Sequence, residues 1–274
     1  MKNERGRAFR TYILPVAAVL AGAFVAAPAS AGVLYSEDFE SGVTGWSGGV
    51  SAVPGGSPAA FEGSNMGLVT GTDYTYFGDA NGGTPPTLTG PQPFTVSTAI
   101  YIDTNWASGT GFDWSVAASD KGQLGDPADP YHLRDFIFHA FADGSKVVIG
   151  GNNNAGSGPT DSSGGNHYDI TTSGWYIFES VFYEAAGALA VDLNLMDGLG
   201  NHLFTETRTT ALDDFTTVYD GSRYGWFPVM TVANGLYIDA VSLSVADEVP
   251  EPATLALMGA GLAGLGLARR CKRG

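Results

Sequence analysis

GWYIFESVFYE (Gly174–Glu184), AAG (Ala185–Gly187), ALAVDLNLM (Ala188–Met196), DGLGN (Asp197–Asn201) and HLFTETR (His202–Arg208) follow one another without a gap. Leu189, Val191, Leu193 and Leu195 fall on one face of a period-2 strand, and Ala190, Asp192 and Asn194 fall on the other. The two separators are rich in Gly, Asp and Asn, the residues that tight turns require. The stretch therefore predicts three antiparallel strands in a meander, with one face packed and one face wet.

The same alternation of short apolar runs and turn clusters extends outward in both directions. Candidate strands are Val33–Phe39, Met66–Thr70, Tyr74–Phe77, Phe94–Ile102 (FTVSTAIYI), Gly111–Ala117, Asp135–Phe141, Lys146–Ile149, Tyr224–Met230 and Leu236–Val245. Asp135–Phe141 and Lys146–Ile149 form a hairpin around Ala142-Asp143-Gly144-Ser145. Between them lie Gly48–Pro58, Gly78–Pro93, Ser119–Pro130 and the low-complexity Gly150–Asn166 (GGNNNAGSGPTDSSGGN), read as loops. No stretch from Gly32 to Glu248 shows capped helical spacing. About a dozen short strands suit two packed sheets better than one open sheet, so the expectation is an all-β, antiparallel, two-sheet, jelly-roll-like sandwich over residues 32–248.

The two ends read differently. Lys2, Arg5, Arg7 and Arg10 precede the apolar run Tyr12–Val25, and Ala29-Ser30-Ala31 fits the small-x-small rule. This is the pattern of a signal peptide over residues 1–31, cut between Ala31 and Gly32, with a first transmembrane helix as the alternative. At the other end, Val249-Pro250-Glu251-Pro252 breaks regular structure, since proline lacks an N–H and fixes φ. Ala253–Ala268 carries no charge and predicts a single, short transmembrane helix of roughly 24 Å. Arg269, Arg270, Lys272 and Arg273 follow it and should stay cytoplasmic, which leaves the preceding domain on the periplasmic side of the inner membrane. An ordinary single-pass anchor and a core helix are the competing readings.

Without these ends, five basic residues (Lys121, Arg134, Lys146, Arg208 and Arg223) face 26 acids, a balance of about −21. Such a domain repels nucleic acid and anionic lipid. The single cysteine, Cys271, lies in the tail, so the exported part has no disulfide and must rest on its core.

Val249-Pro250-Glu251-Pro252, the Gly/Ala/Leu span and Arg269-Arg270-Cys271-Lys272-Arg273 together resemble the PEP-CTERM sorting signal of Gram-negative bacteria, over residues 249–274. The resemblance implies processing by an exosortase, transient residence in the inner membrane, and a link to exopolysaccharide and biofilm. Glu37-Asp38-Phe39-Glu40-Ser41-Gly42 with Gly45-Trp46, the Gly174-Trp175-Tyr176 strand, and Leu236–Leu243 resemble strands of laminin-G/concanavalin-like and carbohydrate-binding modules. In such modules a structural calcium commonly sits where the first and last strands lie side by side. The matching acids here are Glu37, Asp38 or Glu40 with Asp239, and Glu40 with Asp239 is the pair singled out. By period 2, Asp239 shares a face with Val241, Leu243 and Val245, which would make it a buried carboxylate in need of a partner.

Catalytic constellations are scarce. A glycoside hydrolase or lyase on a concanavalin-like fold would need paired carboxylates, commonly as Glu-x-Asp-x-Glu on one strand face. Glu37-Asp38-Phe39-Glu40 lacks that spacing, and neither Glu179 nor Glu184 has a second Glu at i+2 or i+4. His132, His139, His167 and His202 are far apart in sequence, and no serine-hydrolase elbow or phosphate loop is present. Aromatic side chains are the better lead, because sugars stack their C–H faces on flat rings. Trp46, Trp106 and Trp114 are expected in or beside loops as candidate ligand platforms, while Trp175 and Trp226 are expected in the core. The sequence thus points to a non-enzymatic exported surface or matrix protein associated with extracellular polysaccharide, with a polysaccharide-active enzyme as the alternative.

Overall fold

The computed structural model describes residues 31–75, 77, 92–118, 134–153, 165–214 and 224–246. Residues 1–30 of the predicted signal peptide, with Ala29, and the tail with Val249, Pro250, Glu251, Pro252, Arg269 and Arg270 lie outside the described residues, while Ala31 and Gly32 at the predicted cut open β1. Among the described residues, no helix is long and apolar enough to cross a membrane.

Among the described residues fifteen strands follow in order: β1 (Ala31–Glu37), β2 (Trp46–Ser47), β3 (Ser51–Pro54), β4 (Asn65–Val69), β5 (Tyr74–Thr75), β6 (Phe94–Ile102), β7 (Gly111–Ala118), β8 (Arg134–Ala142), β9 (Val147–Asn153), β10 (His167–Ile170), β11 (Gly174–Ala185), β12 (Ala188–Asp197), β13 (His202–Asp214), β14 (Tyr224–Met230) and β15 (Leu236–Ala246). They form two antiparallel sheets. The eight-stranded sheet runs β13-β12-β11-β6-β15-β4-β3, with β1 also paired to β15; the seven-stranded sheet runs β10-β9-β8-β7-β14-β5-β2. The all-β, two-sheet expectation holds. The predicted meander is β11-β12-β13, and Leu189, Val191, Leu193 and Leu195 are all buried.

Three strands escape the sequence reading. β2, β3 and β10 are two to four residues long, and each terminates a sheet order. A short edge strand carries little apolar patterning, and β3 even contains Pro54, which an edge tolerates.

The sheets face each other across an aromatic core. Phe94 stacks on Phe182 at 4.3 Å within one sheet, and Phe182 meets Phe136 of the other edge-on at 5.3 Å. Phe178 sits between Phe138 and Phe112, at 5.1 and 5.7 Å. At one end of the core Trp114, Phe227 and Trp46 close the gap, with Trp114 and Phe227 at 4.8 Å. Edge-to-face geometry suits the ring quadrupoles.

β15 changes partners halfway along. Leu236–Ile238 pair with β4, while Val241–Ala246 pair with β1, and β6 lies on the other edge throughout. The changeover is a bulge between Asp239 and Ser242, with Ala240 at a positive φ of 47°. One extra residue inverts the alternation. Leu236, Ile238, Val241 and Leu243 all reach the core, so Asp239 lies on the opposite face of β15 from the one the period-2 reading gave it beside Val241 and Leu243, yet it is buried and partnered as expected.

Candidate functional site

The outer face of the eight-stranded sheet is where aromatic side chains come together. Ile100 and Ile102 point into the core, so Tyr101 between them points out. Trp175 on β11 is its cross-strand partner, and the rings meet edge-on at 5.7 Å. On the other edge, the register pairing Ile238 with Ile100 sets Tyr237 beside Tyr101, also facing out. Three strands thus contribute one ring each to a single row.

Above this row lies the segment leading into β4. Trp175 Nε1 donates to the Ala59 carbonyl at 2.9 Å, and Phe61 packs on the indole at 5.8 Å. Two carboxylates hold the segment from below. Asp239 Oδ2 accepts from the Phe61 and Glu62 amides at 2.9 and 3.1 Å, and its Oδ1 accepts from the Ala240 amide at 2.8 Å. Glu40 Oε1 accepts from the Ser64 and Asn65 amides at 2.7 and 2.6 Å. Burial raises the Asp239 carboxyl above its ordinary value, against the pull of its three amide donors.

Glu37 accepts from Phe39 and Thr44, and Asp38 from Glu40, in the same manner. These acids clasp loops. Amide hydrogens aimed at the carboxylates of Glu40 and Asp239 keep a cation away from the same oxygens. Among the described residues no group of three or more His, Cys, Asp or Glu side chains is arranged to hold a metal. A calcium between Glu40 and Asp239, as expected from the sequence, would have to share Glu40 Oε1 and the Asp239 oxygens with these amide donors.

Where the row ends, the loops at one pole of the sandwich enclose a cleft of about 470 Å³. Tyr101, Trp106 and Tyr237 supply its rings, Asp103, Asn105 and Asn234 its polar groups, and Ser57 and Pro58 one wall. Asp103 is fixed in place. Its Oδ1 accepts from the Asn105 amide at 2.9 Å, from Asn105 Nδ2 at 2.8 Å and from Ser173 Oγ at 3.2 Å. The Asn105 amide is the chief cause holding its carboxyl below the usual value, so it is charged at neutral pH. Thr104 is tied to the same Ser173 hydroxyl, which pins the loop after β6 to the start of β11.

Of the three tryptophans expected as platforms, only Trp106 reaches the cleft, backed edge-on by Phe112 at 6.1 Å. Trp114 is fully buried and Trp46 nearly so, both inside the sandwich rather than in loops. A ring enclosed on both faces offers no surface to a ligand. Trp175 and Trp226, expected in the core, are each only partly buried. The signal that finds Tyr101 and Tyr237 is an aromatic ring at the outward step of a strand whose flanking residues are aliphatic. Elsewhere Asp113 and His139 pair across β7 and β8 at 2.7 Å, and both are closed off from solvent.

Residues 248–273 match the PEP-CTERM protein-sorting motif. That match begins two residues after β15 ends and implies export, a membrane-anchored C-terminal sorting signal, and processing by an exosortase. No curated protein matches the chain. Among solved structures, a carbohydrate esterase of the Shiga toxin-encoding bacteriophage phi24B is similar at 10% identity and TM-score 0.47, covering 80% of this chain and 100% of that one. A protein of unknown function from Shewanella oneidensis MR-1 is similar at 14% identity and TM-score 0.40, covering 85% and 96%. The CBM2 module of the evolved Dit of Lactobacillus casei BL23 phage J-1 is similar at 13% identity and TM-score 0.40, covering 81% and 99%.

Proposed function

We propose that the chain is an exported surface or matrix protein that binds extracellular polysaccharide, without catalysis, in the cleft at the pole of its sandwich. The observation that carries this reading is the row of outward rings, Trp175, Tyr101 and Tyr237, ending in a cleft with Trp106, Asp103, Asn105 and Asn234. A pyranose ring presents a C–H face that stacks on such rings and an edge of hydroxyls that needs fixed donors and acceptors. The cleft supplies both. It is also open enough for a chain rather than a single sugar, because the ring row continues out of it across the sheet. Glycoside hydrolysis needs two carboxyl groups across the scissile bond, and Asp103 is the one carboxylate in this lining.

Titration calorimetry of the protein against polysaccharide recovered from its host tests the binding. Tyr101→Ala and Tyr237→Ala should each weaken it by about tenfold or more, the worth of a stacked ring. Wild-type protein that takes up no host polysaccharide, or variants that bind as wild type, would refute the cleft assignment. The sorting step has its own readout in intact mass. Protein from cells with the exosortase should lack the span after Pro252, and protein from cells without the enzyme should keep it. Retention in both strains would mean a plain membrane anchor.

A further inference from the structure

The cleft is charged in one sense only. Asp103 lies in it, and among the described residues no Lys, Arg or His does. The two basic side chains described elsewhere are already paired, Lys146 with Asp169 at 2.8 Å and Arg208 with Glu206 at 3.0 Å. Asp103 has further capacity. All three of its hydrogen bonds end on Oδ1, and Oδ2 accepts none among the described residues. The carboxylate is thus oriented by protein donors through one oxygen and turned outward with the other. A sugar hydroxyl would satisfy that oxygen's hydrogen-bonding capacity but leave its charge unanswered. A protonated amine satisfies both, and a charge-assisted hydrogen bond is about twice as strong as a neutral one. The rings of Tyr101, Trp106 and Tyr237 beside it attract a cation through their π faces.

From these features we infer that the glycan taken by the cleft carries free amino groups: a polysaccharide of hexosamine units that are at least partly N-deacetylated, with an ammonium group on Asp103 Oδ2. This rests on the reading of the cleft as a glycan site and names the class of glycan. The whole domain favours the same partner. A balance of about −21 outside the two terminal segments draws a cationic chain from a distance and repels a uronic-acid chain, an effect that salt weakens.

The test is calorimetry on the full-length protein in detergent solution, at mildly acidic pH and about 0.15 M salt, with two probes: a glucosamine hexamer and the matching N-acetylglucosamine hexamer. The glucosamine hexamer should bind about tenfold more tightly or better, a margin of the size expected for one charge-assisted contact. Asp103→Asn keeps an acceptor for Asn105 and Ser173 but removes the charge, and should bring the two probes to within about twofold of each other. Glu184→Gln makes the same charge change at the opposite pole, on the exposed end of β11, and should leave the preference intact.

Equal affinity for both probes, abolished by Tyr237→Ala, would overturn the amine and keep the glycan site. A preference that survives in Asp103→Asn would assign it to the diffuse acidic surface and overturn the role of Asp103. Binding of neither probe, together with no uptake of host polysaccharide, would remove the glycan reading itself.

Discussion

Trp114→Ala should cost about 3–5 kcal/mol of stability, the range for deleting a large buried aromatic side chain. Trp114 is fully buried and packed between Trp46, at 6.3 Å, and Phe227, at 4.8 Å. The far edge of its indole lies against Gly225 on β14 so closely that a single added methyl there would collide with it. The backbone around it is held in place, because β7 is paired on both edges, with β14 and β8. Trp114→Phe separates shape from polarity. The indole N–H has no hydrogen-bond partner among the described residues, so its removal forfeits nothing polar there, and the phenylalanine variant should lose only about 1–2 kcal/mol. Equilibrium denaturation in urea reads both. An alanine variant within about 1 kcal/mol of wild type would show that the core collapses around the gap.

Asp239→Ala should be comparably damaging for a different reason. It strips the acceptor from the Phe61, Glu62 and Ala240 amides, and a loss of about 3 kcal/mol follows if even two of these donors stay dry. The freed segment includes the strand-leading loop over Trp175, so the wall of the cleft at Ser57 and Pro58 loosens with it.

Asp239→Asn keeps one acceptor and cannot ionise, which makes it the probe of pH dependence. In the folded protein burial raises the Asp239 carboxyl above its ordinary 3.8. The native state therefore holds this proton more tightly than the unfolded chain does. Linkage then makes the Asp239 contribution greatest below 3.8 and diminishes it as pH rises from 3.8 through the raised value. The difference in unfolding free energy between wild type and Asp239→Asn should fall over that window as pH rises. A difference that is flat, or that grows with pH, would contradict the burial argument.

Legibility in the sequence followed the periodicity of each segment. The β11-β12-β13 meander is readable because Leu189, Val191, Leu193 and Leu195 alternate with small or polar residues and turn formers bound every strand. The face of Asp239 is not readable, because its inversion comes from a bulge at Ala240, and alanine carries no compositional mark of a positive φ. Trp114 misleads for a related reason. Its neighbours Asp113 and Ser115 are polar yet fully buried, so the strand reads in the sequence as exposed on one side and is buried on both in the fold. The rings of the cleft carry a local mark, but their assembly into one site does not. The cleft joins Ser57, Tyr101–Trp106 and Asn234–Tyr237, three segments that only sheet register brings together.

The exchange of partners along β15 also determines how the domain carries tension. The strand begins at the cleft and ends, eleven residues and about 36 Å later, beside Ala31 and just ahead of the sorting motif. A force applied between the cleft and the C-terminal end of the strand would load it end to end. Its hydrogen bonds to β1, β4 and β6 run across the line of pull. Bonds so oriented are sheared together and yield only as a set, whereas a strand peeled from one end gives way bond by bond. The seam between first and last strands is therefore the part of the domain best placed to resist a pull along that line.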